Sequence, residues 1–261
     1  MRTTLLRRLS TAAVLFAALA ALPARADDGF STANIQFLQG WNYHDKNVNT
    51  SNGQVSTVTF NYFTTWAYGD LNFFVDFARA QAHFVDTFSG AAKTPIGDSL
   101  VYGEIQPRIG LGKTFGWKCP LGLFRDFGPA FELNQGNNFY AYLAGFGGDF
   151  NLPQPYVAGL NLYYRYDKFY GDGWQATTYW GIPFSVGPVG FALAGFADFS
   201  KALTSHNSQS IDIISQPELL VDVGALWNQP RRWWVGAEWN LHYNPVKSDQ
   251  SLQAMVQYTI R

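Results

Sequence analysis

The sequence is poor in charge and in cysteine, and it lacks long hydrophobic runs. Asp, Glu, Lys and Arg make up 14% of the 261 residues, well below the roughly 25% of a typical soluble domain. The single cysteine, Cys119, excludes an internal disulfide. After residue 26, no apolar run reaches the roughly 20 residues that a membrane-spanning helix needs. A helical membrane protein of several spans and a disulfide-stabilised scaffold are therefore excluded.

Aromatic residues and glycine are abundant instead. Phe, Tyr and Trp account for 17% of the chain, which also has 25 glycines. The mean hydropathy is nevertheless only −0.11. Few charges, many aromatic rings and an average hydropathy are typical of a β-sheet with one face against lipid and the other against water.

The first 26 residues have the organisation of a secretory signal peptide. Three arginines precede an apolar core over 9–22, and small residues at 24 and 26 suit cleavage before Asp27. The sequence therefore predicts a cleaved signal peptide over 1–26 and a mature chain over 27–261. The alternative is an N-terminal membrane anchor, for which the core is short.

Cleavage would leave the mature chain acidic. The signal contains four of the 18 Lys and Arg residues and none of the 19 Asp and Glu residues, so the mature net charge is about −5. Nucleic-acid binding has no electrostatic basis in such a chain.

Apolar and polar residues alternate with period two along the mature chain. In 34–44, for example, Ile35 and Phe37 alternate with Asn34 and Gln36. Such alternation marks a strand whose two faces meet different surroundings. Stretches rich in Gly, Asn, Asp and Ser separate the strands. The predicted strands are 34–44, 55–67, 70–82, 101–111, 122–134, 138–150, 157–167, 174–186, 189–200, 216–227, 232–243 and 252–260.

About 12 strands of this length predict an all-β fold, an antiparallel transmembrane β-barrel with a polar lumen. A spanning strand takes roughly 9–11 residues, and bacterial barrels have an even number of strands. One domain over 27–261 accommodates them. A soluble sandwich or lipocalin-like barrel also alternates, but its outside should be rich in Lys and Glu. The scattered charges and the Trp and Tyr residues at strand ends favour the membrane barrel.

If the apolar face points outward, the polar face lines the lumen. Aromatic rings beside carboxylates or guanidinium groups suit a solute with an aromatic base and a hydroxylated sugar. The alternative is that these side chains fill and stiffen the barrel. The candidate solute-binding residues are His44, Phe74, Glu104, Arg108, Tyr163, Arg165, Asp167, Phe196, Asp198, Glu218, Arg232 and Trp234. The same parity places Glu132, Tyr179, Asp222, Glu238 and His242 inward.

Catalytic signals are scarce. The four histidines have no metal-ligand spacing, and a Gly-x-Ser-x-Gly motif is absent. The sequence therefore predicts no catalytic residues, no metal, no cofactor and no enzymatic activity. A barrel hydrolase built on His44 or His242 is the enzymatic alternative.

Five short motifs occur in order along the chain: WNYH at 41–44, EIQPR at 104–108, GFGGD at 145–149, NLYYRY at 161–166 and GFADF at 195–199. Through them the chain resembles the nucleoside-specific channel-forming outer-membrane proteins, the Tsx-like family. The resemblance implies a twelve-stranded monomeric barrel with a narrow passage for nucleosides and deoxynucleosides. On the matched motifs it implies solute-contacting roles for Tyr43, His44, Glu104 and Arg108, although Tyr43 has the outward parity.

The sequence therefore predicts a channel for passive diffusion of nucleosides and related small solutes. Its expected place is the outer membrane of a Gram-negative-type envelope. The expected partners are nucleosides or other small polar solutes, outer-membrane lipid and lipopolysaccharide, and the barrel-assembly machinery. A non-selective small-solute or ion pore and a plugged structural or receptor barrel remain alternatives.

Overall fold

The computed structural model describes residues 29–43, 48–50, 53–86, 94–119, 122–137, 139–203, 211–243 and 248–260. The predicted signal peptide lies outside these residues. None of the helices in the described part of the chain is long and apolar enough to cross a membrane.

Almost every element is a strand. The strands are β1 (Ser31–Trp41), β2 (Val48–Thr50), β3 (Gln54–Trp66), β4 (Gly69–Asp86), β5 (Thr94–Ile109), β6 (Phe124–Gly136), β7 (Tyr140–Phe150), β8 (Val157–Asp167), β9 (Gly171–Val186), β10 (Val189–Ala202), β11 (Asp212–Ser215), β12 (Glu218–Asp222), β13 (Trp233–Tyr243) and β14 (Ser248–Thr259). The two helices are a single α-turn, Leu111–Phe115, and a 3₁₀ turn, Gly224–Trp227.

The strands close into one antiparallel barrel. Strand β1 pairs with β3 on one side and with β14 on the other, so that Ile35 lies between Phe60 and Tyr258. Strands β11 and β12 are two halves of one barrel strand, because both pair with β10 and β13. The short β2 only pairs with the end of β4. The described chain thus forms a closed barrel of 12 strands, which confirms the predicted fold class.

The barrel has its apolar face outside. Phe37, Leu162 and Leu252 are each more than half exposed, whereas the alternate residues Gln36 and Gln253 are buried. Pleating sends successive side chains to opposite faces of the sheet. The register of a strand therefore decides which of its side chains point outward and which point into the lumen. A soluble barrel has the opposite arrangement, and this difference confirms the predicted outward parity.

The two ends of the barrel differ. We call the end of the barrel at which β1 begins, at Ser31, and β14 ends, at Thr259, the terminal end. It also carries the tight β3–β4 and β9–β10 turns and the helix Leu111–Phe115. We call the opposite end the loop end. There β4 and β5 extend to Asp86 and Thr94.

One predicted strand, 216–227, has wrong bounds. The observed barrel strand starts earlier, with β11, and ends at Asp222 of β12. After Asp222 the chain forms the 3₁₀ turn. The Asp222 carboxylate accepts hydrogen bonds from the backbone N–H groups of Ala225 and Arg231, at 3.3 and 2.7 Å. A side chain that caps a turn competes with the sheet for the backbone, and the apolar alternation at 223–227 does not reveal it.

Candidate functional site

The lumen collects most of the Asp, Glu, Lys and Arg side chains that the described barrel strands contribute. Register and burial place both arginines Arg108 and Arg165 inside. They face a larger set of inward acids, which the pairing places on nine of the twelve barrel strands. These acids are Asp70, Asp76, Glu104, Glu132, Asp149, Asp167, Asp198, Asp212, Glu218, Asp222, Glu238 and Asp249.

Arg108 is the centre of a network that crosses the lumen near the terminal end. Its Nε and Nη2 atoms lie 3.1 and 2.9 Å from Asp70 Oδ2 on the neighbouring strand β4. Nη2 also lies 2.7 Å from Asp149 Oδ1 on β7, and Nη1 donates to the Tyr179 hydroxyl on β9 at 2.7 Å. Tyr179 donates in turn to Asp149. We call these four residues the arginine network.

A glycine, which has no side chain, makes room for this network. Strand β8 lies between the strands of Asp149 and Tyr179, and Gly159 is its residue at this level. A Cβ atom at Gly159 would lie 2.1 Å from the Tyr179 hydroxyl. Glycine therefore lets the phenol cross β8 and reach both Asp149 and Arg108.

Arg165 organises a second polar group nearer the loop end. Its Nε lies 3.1 Å from Asp167 Oδ2, and its Nη1 donates to Gln175. Asp167 also accepts the backbone N–H groups of Phe169 and Tyr170, so it fixes the β8–β9 turn. Arg165 therefore stabilises the barrel wall at the β8–β9 turn as well as lining the lumen.

Glu104, Glu132 and Asp198 form an acidic group between opposite walls. Tyr102 and Gln106 donate to the two Glu104 oxygens, each at 2.5 Å, and Thr177 donates to Asp198 at 2.6 Å. Glu104 interacts electrostatically with Asp198, and Glu132 interacts with both. We call these three acids the central carboxylates.

A second acidic group consists of Asp76, Glu218 and Glu238. Glu218 interacts electrostatically with Asp76, and Glu238 interacts with both. Neutral amides approach the two glutamates, since Gln36 Nε2 lies 3.4 Å from Glu218 and Gln253 Nε2 lies 2.8 Å from Glu238. Because these donors are neutral amides, they leave much of the negative potential of the two glutamates in place.

An aromatic row runs beside the central carboxylates toward the loop end. The ring centroids of Phe74 and Tyr102 are 6.0 Å apart, and those of Tyr102 and Phe139 are 6.3 Å apart. Phe139 stacks on Phe169 at 5.9 Å. The Arg165 guanidinium carbon lies 5.9 Å from the Phe139 centroid, within the range of a cation–π contact. These four rings are the aromatic row.

Apolar side chains also enter the lumen. Leu38, Leu220 and Met255 are buried together with Trp234 packed against them. Ala130, Ala141, Leu143 and Tyr163 form a separate buried cluster, on which Phe139 packs. Both clusters narrow the interior and support the walls.

The structure places ten of the predicted site residues in the lumen. They are Phe74, Glu104, Arg108, Tyr163, Arg165, Asp167, Phe196, Asp198, Glu218 and Trp234. Tyr163 and Trp234 belong to the apolar clusters, and Phe74 belongs to the aromatic row. His44 lies outside the described residues, and the binding role of all these residues stays a prediction.

Arg232 does not line the lumen, so this part of the prediction is wrong. It precedes β13, is exposed, and has its guanidinium carbon 6.0 Å from the ring centroid of Tyr258 on the outward face. Arg232 has the inward parity of β13, but it lies one residue before the strand begins, where parity no longer sets the side-chain direction. Tyr43, which the family resemblance connects with the solute, packs against the buried cluster of Val55, Ala80 and Phe84.

Asp70, Asp76 and Asp149 are inward residues that the sequence reasoning missed. The segments 70–82 and 138–150 alternate less regularly, because glycine and alanine occupy several of their positions. The signal was the parity itself, since each aspartate has the same parity as inward residues of its own strand, such as Phe74 or Leu143.

Neither a metal site nor a hydrolase site emerges in the described part of the chain. It contains no group of three or more His, Cys, Asp or Glu residues that could hold a metal ion. His242 Nε2 lies 3.1 Å from Asp212, but its Nδ1 has no hydrogen-bond partner among the described residues. That pair therefore has no serine nucleophile attached to it.

Comparison with known proteins gives structural similarity without sequence similarity. No protein-family model and no curated protein matches the chain. Among solved structures, the chain is similar to a KdgM porin in complex with disordered oligogalacturonate, at 12% identity and a TM-score of 0.49, covering 87% of this chain and 99% of that one. It is also similar to the outer membrane channel DcaP of Acinetobacter baumannii, at 10% identity and a TM-score of 0.35, covering 91% and 99%.

A third similar structure is OccK3 of Pseudomonas aeruginosa, at 9% identity and a TM-score of 0.30, covering 90% of this chain and 96% of that one. At such identities the similarity concerns the fold alone.

Proposed function

We propose that this chain is a non-enzymatic outer-membrane channel for the passive diffusion of nucleosides and related small polar solutes. The observation that carries the proposal is a closed barrel with an apolar outside and a charged inside. Such a surface is stable only where lipid covers it, and ionisable residues inside a spanning structure can line a pathway for ions or polar solutes. Export through cleavage of the 1–26 segment and a monomeric state in contact with lipopolysaccharide are part of the proposal, as is insertion by the barrel-assembly machinery.

The preference for nucleosides is supported by the aromatic row. In this proposal a base stacks on Phe139 or Phe74 and the sugar hydroxyls meet Glu104 and Arg165. Support comes from the contacts of these two groups with the aromatic row, since Glu104 accepts a hydrogen bond from Tyr102 and Arg165 lies over Phe139. Base stacking on an aromatic side chain contributes about 1–3 kcal/mol and tolerates any base. Affinity of this size admits a solute and still releases it, as diffusion through a channel requires.

Single-channel current in a planar bilayer tests the proposal. Adenosine and thymidine should block the current of the refolded protein in a concentration-dependent way, and glucose should not. Phe139→Ala should weaken this block by about tenfold, because one stacking surface is lost. The matched control is Tyr142→Ala on the outward face of β7, the strand that follows Phe139, and it should leave the block unchanged. Equal block by glucose would favour a non-selective pore.

A plugged structural barrel is the second candidate. The inward cluster of Leu38, Leu220 and Met255, together with the arginine network, occupies part of the lumen. Complete filling would leave no path for ions. The same bilayer measurement separates the candidates, since a plugged barrel gives no current in any electrolyte.

A further inference from the structure

The described part of the lumen is asymmetric in charge, and both of its arginines already contact aspartates. The Arg108 guanidinium contacts Asp70 and Asp149 at 2.9 and 2.7 Å, and Arg165 contacts Asp167 at 3.1 Å. Arg165 also interacts electrostatically with Glu104 and Glu132, so these two guanidinium charges stand against a larger number of inward carboxylates. The remaining inward acids add a negative potential along the passage.

The central carboxylates face each other across this passage. Glu104 is on β5 and Asp198 is on β10, which lies five strands further along the closed sheet. Their electrostatic interaction therefore acts across the lumen, with Glu132 of β6 beside them. A solute that moves through the barrel at this level passes between carboxylates from opposite walls.

Two oxygen atoms at this level lack a donor. Glu132 Oε1 and Asn134 Oδ1 have no hydrogen-bond partner among the described residues, although the two side chains belong to residues only 4% and 3% exposed. Both face inward on β6, where Asn134 is opposite Glu104 on β5. A buried acceptor without a partner is costly, and a cation or an N–H donor removes that cost, whereas an anion adds to it.

We infer that the passage selects cations over anions, and that the central carboxylates with Asn134 bind a monovalent cation, such as K⁺ or an alkylammonium group, during transit. The inference rests on the proposed channel function and names the charge class of its solutes. The described residues form no chelating group for a metal ion, so the expected occupancy is brief. Rings of acidic side chains produce this selectivity in other channels.

The test is the reversal potential in a tenfold KCl gradient across a bilayer of uncharged phosphatidylcholine. We expect K⁺ to permeate about tenfold better than Cl⁻, because a charged cleft with low-dielectric walls concentrates counter-ions by about tenfold or more. A reversal potential at zero or on the chloride side would overturn the inference and leave the channel intact. Complete absence of current would overturn the channel and the inference together.

Variants locate the selectivity. Glu132→Gln keeps the shape and removes one charge, and we expect it to lower the permeability ratio by about twofold. Glu104→Gln should act in the same direction if the first variant does not fold. The matched control is Asp172→Asn, because the Asp172 carboxylate accepts a hydrogen bond from Tyr164 on the outward face. A ratio that falls equally in the control variant, or that stays at the original value in both glutamate variants, would contradict the assigned site.

Discussion

At the scale of single residues, Arg108 compensates the charge of interior carboxylates from two different strands. Its side chain is 8% exposed and contacts two aspartates and a phenol from three other strands. Guanidinium presents several donors in one plane, so it can serve Asp70, Asp149 and Tyr179 at once. Lysine has one charged nitrogen and could not reproduce this arrangement.

Removal of Arg108 should therefore destabilise the barrel strongly. Arg108→Ala leaves Asp70 and Asp149 close together without their cation, and breaking a buried pair in this way costs about 3–5 kcal/mol. The measurement is the urea dependence of folding into phospholipid vesicles, followed by the fluorescence of the nine tryptophans.

The exposed pair of Arg79 and Asp98 provides the control. Its atoms are 3.5 Å apart and its side chains are 75% and 53% exposed. Arg79→Ala should cost less than about 1 kcal/mol, because surface ion pairs contribute little. Equal loss in both variants would mean that the arginine network is not a buried interaction.

The sequence was informative about which way a residue points and uninformative about what it touches. Parity placed Arg108 and Glu104 in the lumen. It could not show that Asp149 and Tyr179 meet Arg108, because those contacts join strands far apart in the chain and depend on the curvature of the closed sheet. Parity also failed at Arg232, one residue beyond the strand to which it applied.

At the scale of elements, the paired strands β10 and β11–β12 contain the clearest irregularity of the described barrel. Pro217 lacks an N–H group and lies where β11 gives way to β12. Opposite it, Gly195 adopts a φ of 140°. A Cβ atom there would lie 2.4 Å from the Gln216 carbonyl oxygen, so the position requires glycine for both space and conformation.

Gly195→Ala should destabilise this part of the barrel by about 1–3 kcal/mol, the usual cost of a strained backbone position. Gly190→Ala is the matched control on the same strand, because its Cβ would make an ordinary 3.4 Å contact with Asp222. The control should stay within about 0.5 kcal/mol of the original protein. Thermal unfolding, followed by the mobility of folded and unfolded forms on SDS gels, separates the two variants.

The existence of the strands was easier to predict than their bounds. Alternation over ten residues identifies a strand, and each of the 12 predicted segments overlaps a barrel strand. The ends depend on local hydrogen bonds, such as the Asp222 cap that stops β12. Side-chain capping does not alter the apolar period, so the pattern continued past the true end.

At the scale of the whole molecule, the barrel is an inside-out protein. Its exposed leucines, phenylalanines and valines surround the strands, and most of the charges on its described strands are enclosed. Water is a poor solvent for such a surface, because a contiguous apolar area of this extent favours association or burial in lipid. The outer face is therefore the best place to test the membrane location.

Leu162→Arg places a charge in the middle of β8 on the outward face. It should destabilise the protein in vesicles by about 2–4 kcal/mol, the cost of an arginine near the bilayer midplane. Leu226→Arg, in the 3₁₀ turn beyond β12, is the control and should cost about 0–1 kcal/mol. The readout is again urea-dependent folding. A soluble barrel would tolerate both substitutions equally well.

The pairing of β1 with β14 also imposes an order on assembly. Asn34 pairs with Thr259, so the seam of the described barrel joins its first strand in chain order to its last. Until β14 exists, the growing sheet has two open edges whose N–H and C=O groups could pair with another chain. Closure across so long a sequence separation is slow. The newly made chain must therefore stay apart from its copies until its own last strand arrives.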